Sequence, residues 1–141
     1  MTPLPPPDDL TSLVLRTDFS DDAAWNRLSA ALDDLAGFRS ATCASDPAYA
    51  GVSVEALVDA DASADEADKI IYLFVADAAT MTDEEHRLLA VDLSSEPGRT
   101  FRVPPRWFAD VSANLSIANM DFAEFADATD DSGTYRGFAD D

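Results

Sequence analysis

The sequence is poor in the residues and motifs that most often carry chemistry. It has one cysteine, Cys43, and one histidine, His86. A single cysteine excludes an internal disulfide, and the motifs of phosphate-binding loops, dinucleotide-binding folds, zinc proteases, dithiol centres and serine hydrolases are absent. We interpret Cys43 as a small buried residue of a strand and His86 as a solvated residue at a helix end, with nucleophile and general base as the alternatives.

Long hydrophobic runs are also missing. No apolar run reaches the roughly 18 residues of a membrane span. The opening residues, MTPLPPPDDL, have neither the basic region nor the apolar region of a secretory signal. A chain of 141 residues fits one domain. We expect a cytoplasmic protein with a flexible, proline-rich leader at residues 1–12, a domain at residues 13–138 and an acidic tail at residues 139–141.

Basic residues are scarce. The chain has 28 acidic residues against 9 basic ones, which gives a net charge of −19, and Lys69 is its single lysine. Residues 60–68, which include Asp61, form a predicted acidic loop. A net charge of −19 produces an electrostatic field that repels nucleic-acid phosphates, and the sequence has no basic stripe. Direct nucleic-acid binding is therefore not expected. The acidity is explained either by solubility or salt adaptation, or by a face that meets a basic partner or imitates nucleic-acid phosphates.

Five short segments have the composition of strands. Two of them, residues 70–75 (IIYLFV) and 88–91 (LLAV), are continuous apolar runs, which are typical of strands covered on both faces. We therefore predict a single-domain α/β fold, with a mixed and mostly buried sheet of about five strands and flanking helices. The other predicted strands are residues 13–16, 38–44 and 100–103, the last of them at an edge of the sheet.

Helices are predicted from capping residues and from apolar side chains at helical spacing. Ser20 opens the longest helix, Leu35 lies on its apolar face, and Gly37 ends it. Further predicted helices begin at Ser53, Thr82, Pro105 and Asp121. After the last helix, the stretch from Asp130 onward is expected to be polar.

Three predicted strands each end in an aspartate. These residues are Asp18, Asp77 and Asp92. If the three strands are parallel neighbours, the carboxylates meet at the carboxyl edge of the sheet, where open α/β sheets place their ligands. Clustered carboxylates need a cation or a raised pKa to coexist, and Mg²⁺ is the natural hard cation for them. The alternative is that each aspartate caps a local turn or helix, a common role for this residue after a strand.

The segment from residue 114 to residue 125, NLSIANMDFAEF, places polar side chains inside an apolar run. A desolvated amide costs about 1–3 kcal/mol unless it finds hydrogen-bond partners, so such a segment is either a structural joint or part of a site. We expect Asn114 and Asn119 to bond backbone groups between two helices, with Met120 and Phe122 as buried anchors. Asn114, Asn119 and Arg102 are the candidate binding residues.

Four runs of the sequence resemble an uncharacterised family of small acidic bacterial proteins. They are RTDFSDDAAW from Arg16, VDLSSEPGRTFRV from Val91, NLSIANMDFAEFAD from Asn114 and YRGF from Tyr135. The resemblance extends from about residue 13 to residue 138. The family carries no assigned activity, so the resemblance implies a single intracellular domain and supplies no catalytic residues.

Three functions of different classes remain open at this stage. The first is a binding or regulatory module without a cofactor, which presents an anionic surface to a basic protein partner. The second is an enzyme that uses Asp18, Asp77 and Asp92 around a divalent metal such as Mg²⁺. The third is a nucleic-acid mimic or immunity-type inhibitor that occupies a basic groove on its target.

Overall fold

One mixed β-sheet organises the chain. A computed structural model describes residues 4–8, 11–36, 41–117 and 119–137, with the side chains of residues 33–36 left out. Within these residues the strand order is β2-β1-β3-β4-β5, which confirms the predicted single-domain α/β fold. The strands are β1 (Ser12–Arg16), β2 (Ala41–Ala44), β3 (Tyr72–Ala76), β4 (Leu88–Asp92) and β5 (Thr100–Val103).

Strand direction changes in the middle of the sheet. β1 pairs in parallel with both β2 and β3, whereas β4 runs antiparallel to β3 and to β5. The connections on either side of β2 each contain a helix of nine residues or more, long enough for a parallel crossover. The link from β3 to β4, residues 77–87, carries a five-residue helix. It is too short for a crossover, so the chain returns antiparallel.

Five α-helices lie in the described residues. Ser53 caps the second helix, as predicted, by accepting a hydrogen bond from Ala56 N at 3.1 Å. Asp21, rather than Ser20, caps the first, by accepting from Ala24 N at 3.0 Å. The helix predicted to begin at Thr82 ends there instead. The helices are α1 (Asp22–Ala36), α2 (Val54–Ala62), α3 (Ala78–Thr82), α4 (Pro105–Ser116) and α5 (Phe122–Ala126).

The sheet buries apolar side chains on both faces, as the continuous runs indicated. Along β3, Phe74 faces the cluster formed with α1, α4 and α5, while Leu73 and Val75 face the cluster beneath α2. This is the period of two that a strand imposes on its side chains. Leu4, within the predicted leader, packs against the second cluster. None of the helices in the described ranges is both long and apolar enough to cross a membrane.

The last described residues are part of the core. Arg102 of β5 donates its backbone N–H to Gly133 O at 2.9 Å and accepts from Tyr135 N at 2.8 Å. Tyr135 is 3% exposed. Its ring meets the rings of Phe101 and Phe125 edge-on, with the centroids 6.5 and 5.1 Å apart. The stretch expected to be simply polar therefore lies along β5 and contributes an aromatic anchor.

Some predicted features are wrong or lie elsewhere. Cys43 is exposed, because it lies on β2 at an edge of the sheet. Asp61 belongs to the last turn of α2 and is buried, so it is not a loop residue. The side-chain packing of Leu35, the helix end at Gly37, the strand start at residue 38 and the tail at residues 139–141 lie outside the described residues.

Candidate functional site

The three strand-end aspartates do not converge. Asp18 and Asp77 follow the parallel strands β1 and β3, and therefore lie at the same edge of the sheet. Asp92 ends the antiparallel strand β4 and lies opposite Tyr72, at the start of β3. The predicted meeting of three carboxylates at one edge is wrong, because one of the three strands runs in the other direction.

Two of these aspartates cap local turns. The Asp92 carboxylate accepts hydrogen bonds from the backbone amides of residues 94–96, at 3.0, 3.2 and 2.9 Å. Asp18 accepts from the Ser20 hydroxyl at 2.9 Å. Within the described ranges no three His, Cys, Asp or Glu side chains are grouped so as to hold a metal ion. The capping alternative describes both residues, and it also describes Asp77, which caps the start of α3 by accepting from Thr80 N.

Asp77 forms a paired contact with Arg102. The two terminal guanidinium nitrogens of Arg102, Nη1 and Nη2, donate to the two carboxylate oxygens of Asp77 at 3.0 and 2.9 Å. Thr80, fully buried, donates its backbone N–H and its hydroxyl to the same carboxylate, both at 3.0 Å. Burial opposes ionisation of Asp77, but the hydrogen bonds from Arg102 and Thr80 outweigh it and hold its pKa below the usual value. Arg102, a candidate binding residue, thus joins β5 to the start of α3.

His86 lies in the turn before β4 and not at a helix end. Its backbone φ is 50°, in the left-handed region, and its side chain is half-buried. Nδ1 lies 3.0 Å from the carbonyl oxygen of Thr80. The interpretation as a solvated helix-end residue is therefore wrong, and the ring helps to close the turn between α3 and β4.

The two candidate asparagines bond to each other. Asn119 donates its side-chain amide to the Oδ1 atom of Asn114 at 2.8 Å, and Asn114 donates to Asp110 O at 2.8 Å. The backbone N–H of Asn119 also donates to Asn114 O at 2.9 Å. Asn114 is half-buried but Asn119 is exposed. The pair closes the end of α4, and Asn114 bonds a backbone carbonyl as expected, but the Asn119 side chain bonds another side chain and is in solvent.

The start of α5 follows the joint. Phe122 is 6% exposed and packs against Phe101, with ring centroids 5.0 Å apart. Met120 is partly buried against the same cluster. Asp121 precedes the helix as predicted, but its side chain makes no capping hydrogen bond. The joint is therefore held by the asparagines and by the buried ring.

Replacing Asn119 with alanine is expected to lower the free energy of unfolding by about 0.5–1 kcal/mol. One exposed side-chain hydrogen bond is lost, and such bonds make a small net contribution. The backbone bond from residue 119 to Asn114 O remains. Chemical denaturation measures the change in midpoint. A loss above about 2 kcal/mol would show that the amide is shielded from water, as a buried polar group is.

A cleft of about 1070 Å³ lies at the opposite edge, at the amino ends of β1 and β3. Its wall includes the end of α2, the segment leading into β3, and Leu115 and Ser116 at the end of α4. Ser116 belongs to the polar-interrupted segment singled out in the sequence, but Asn114 and Asn119 do not line the cleft. The cleft is thus at the edge opposite the carboxyl edge, where the strand-end aspartates predicted a site.

Acidic side chains dominate the polar part of the cleft. Asp8, Asp59, Asp65 and Asp68 line it and are exposed. Lys69 also lines it, but its ammonium group donates to the carbonyl oxygens of residues 61 and 62, both at 3.1 Å. That contact satisfies the last carbonyls of α2, where a cation is favoured. The cleft therefore carries a strong excess of negative charge.

Apolar side chains form the rest of the lining. Leu4, Ile70, Ile71 and Leu115 border the cleft, and Ile71 is 49% exposed. Sequence reasoning missed this surface, because the run IIYLFV was interpreted as buried throughout. The sequence does contain a local sign of this acidic surface, because an unusual density of aspartates directly precedes that run.

A buried chain of hydroxyl groups lies behind one wall. The Tyr72 hydroxyl is 2.7 Å from Ser12 Oγ, which is 2.7 Å from Ser112 Oγ. Burial raises the pKa of Tyr72 above its ordinary value, although the bond to Ser12 opposes this. Tyr72 lines the cleft and stays uncharged at neutral pH, so it adds a polar but neutral group to an acidic wall.

The fold and the cleft define a class: a small, acidic α/β protein with a five-stranded mixed sheet and an anionic cleft at its amino edge. The model of a domain of unknown function (DUF6924) matches residues 11–138, and the chain belongs to that family. A search of the curated proteins gives no match. Membership confirms the resemblance to a family without assigned activity, and the function has to be argued from the site.

Proposed function

We propose that this protein is a binding module that receives a basic segment of a protein partner in the acidic cleft. The observation that carries the proposal is the position of the charge. The carboxylates of Asp59, Asp65 and Asp68 are exposed around a concave surface and form no ion pair with the described residues. A concave surface of one sign concentrates and steers ligands of the opposite sign.

The remaining charges of the molecule support this assignment. Among the described residues, seven acidic side chains away from the cleft form ion pairs, and the partner in each of these pairs is an arginine. The cleft has Lys69, whose ammonium group faces the end of α2. Within the part of the chain that the structure describes, Asp59, Asp65 and Asp68 therefore lack the arginine partner that seven acidic side chains elsewhere have. The paired arginines are Arg16, Arg87, Arg99, Arg102 and Arg136.

A peptide titration tests the proposal. The probe is a synthetic peptide of lysine, arginine and leucine, and fluorescence anisotropy gives its Kd. The triple variant Asp59→Asn, Asp65→Asn, Asp68→Asn is expected to bind about tenfold more weakly. Each exposed ion pair contributes about 0.2–1 kcal/mol, and about 1.4 kcal/mol corresponds to a factor of ten. Added salt is expected to weaken the wild type more than the variant.

The matched control removes three charges elsewhere. Glu84, Asp110 and Glu124 are exposed and do not line the cleft. The variant Glu84→Gln, Asp110→Asn, Glu124→Gln has the same net charge as the cleft variant and is expected to bind nearly as the wild type does. Equal weakening of binding in both variants would show that the interaction depends on net charge alone and not on the cleft. Absence of peptide binding to the wild type would refute the proposal.

A competition assay on a captured basic protein separates the nucleic-acid-mimic hypothesis from the module. An inhibitor that imitates phosphates occupies a nucleic-acid groove on its target, so DNA or RNA displaces it from that target. If the cleft instead receives a peptide segment of the partner, a basic peptide competes with that segment for the cleft. Displacement by nucleic acid but not by the peptide would favour the mimic and contradict the proposed module.

A further inference from the structure

Two unusual features coincide at Ile71 in the cleft. Its backbone φ is 61°, in the left-handed region that β-branched residues rarely adopt. Tyr72 N donates to Ile70 O at 2.8 Å, two residues apart, which closes a γ-turn around Ile71. The form of this turn with positive φ is the rarer and more strained one. The same residue is 49% exposed and lines the cleft.

Asp61 holds the turn in this conformation. The residue is 3% exposed, and its two carboxylate oxygens accept from Ile70 N at 2.8 Å and from Ile71 N at 3.3 Å. On the other side of the turn, Leu93 N donates to Ile71 O at 2.9 Å. A strained backbone conformation persists where several neighbouring contacts hold it in place, and residues with strained backbones are concentrated at functional sites.

The fold itself does not require an isoleucine here. Glycine adopts positive φ without the steric penalty, and it would expose no apolar surface. An isoleucine in this position combines strain with an exposed aliphatic side chain, and it does so inside a cleft bordered by carboxylates. A partner that covers this side chain would recover the burial that the free protein lacks.

We infer that the segment received by the cleft is amphipathic, with an apolar side chain that packs on Ile71 and basic side chains that face the surrounding aspartates. This inference rests on the proposed function and specifies its ligand. Asp61 is then a positioning residue, which acts on the ligand through the conformation of Ile71. A purely polar basic segment has the charge for this cleft but leaves Ile71 in water.

Two peptides of equal charge test the inference on the full chain. One is a basic amphipathic peptide with leucines, and the other carries serine at each leucine position. The wild type is expected to bind the first about tenfold more tightly, which corresponds to burial of one aliphatic side chain. Ile71→Gly is expected to bind both peptides with the affinity that the wild type has for the polar one. Its Tm should equal or exceed that of the wild type, because the strain is relieved.

A matched control and a second variant complete the experiment. Ile117 is 60% exposed and does not line the cleft, so Ile117→Ser should keep the preference for the amphipathic peptide. Asp61→Asn should lose most of the preference for the amphipathic peptide. Added to Ile71→Gly, it should change the preference no further.

The outcomes separate the two proposals. If the wild type binds both peptides equally and the cleft aspartates still matter, the acidic module stands and the amphipathic ligand is refuted. If Ile71→Gly keeps the preference, Ile71 is not the anchor and the inference fails. If the wild type binds neither peptide, the proposed function fails first.

Discussion

Replacing Tyr135 with alanine is expected to lower the free energy of unfolding by about 3–5 kcal/mol, the usual cost of removing a large buried aromatic side chain. Tyr135 is 3% exposed, and its ring contacts three other aromatic rings. Its removal leaves a cavity between β5 and α5, since these elements are held by the rest of the core. Urea denaturation measures the loss as a lower midpoint at an unchanged slope.

The neighbouring residue provides the control for this prediction. Arg136 is exposed and forms ion pairs with Glu85 and Asp130. Exposed pairs of this kind contribute little, because water and salt screen them and the side chains lose entropy. Arg136→Ala is therefore expected to shift the midpoint much less than Tyr135→Ala. Equal, small shifts in both variants would contradict the packing of this segment on β5.

Replacing Arg102 with alanine is expected to lower the free energy of unfolding by about 2–3 kcal/mol. The side chains of Arg102 and Asp77 are 24% and 28% exposed, and their charged groups form a two-point contact. Removing one member leaves a partly buried carboxylate without its cation, which costs more than the loss of a surface pair. Arg102→Lys keeps the charge but cannot form the two-point contact, so it should recover part of the stability.

The contribution of this pair should depend on pH in a defined direction. The pKa of Asp77 in the folded protein lies below its ordinary value, because the hydrogen bonds to Arg102 and Thr80 outweigh burial. Its stabilising effect is therefore present above the unfolded pKa of about 3.9, and it is lost as the pH falls through the folded value. The stability difference between the wild type and Asp77→Asn should shrink as the pH falls from 7 to below about 4. A constant difference would contradict the paired carboxylate.

Asp77 therefore has a structural role that the metal hypothesis did not include. Its carboxylate already accepts hydrogen bonds from Thr80 and Arg102, and a cation at the same oxygens would repel the guanidinium. Asp92 lies across the sheet. An enzyme built on Asp18, Asp77 and Asp92 together is incompatible with this topology. The acidic cleft, with its charge and its apolar lining, remains the better-supported site.

Local patterns were sufficient for much of the fold. The strands at Leu88–Asp92 and Thr100–Val103 and the helix that begins at Pro105 were predicted within one residue of their observed starts. Strand propensity, side-chain periodicity and the fixed φ of proline act over a few neighbouring residues, so they are visible in one sequence. The mixed α/β class follows from the order of these elements.

Pairing direction and site position depended on contacts between distant residues. The antiparallel return of β4 places Asp92 at the edge opposite Asp77, although both residues follow similar apolar runs. The buried contact between Ser12 and Ser112 joins residues 100 positions apart. Such pairings depend on connection length and on the packing of the whole sheet, which no local pattern encodes.

The sequence by itself determined the fold class, the family, the acidic character and the absence of common catalytic motifs. The tertiary structure decided where the acidic side chains form a cleft. The burial of Asp61 and the left-handed backbone of Ile71 arise from contacts between α2 and the segment that leads into β3. Composition is a property of the chain and survives unfolding. A cleft exists only when separate elements pack around it, and the end of α2, the start of β3 and the end of α4 come together in the folded state alone.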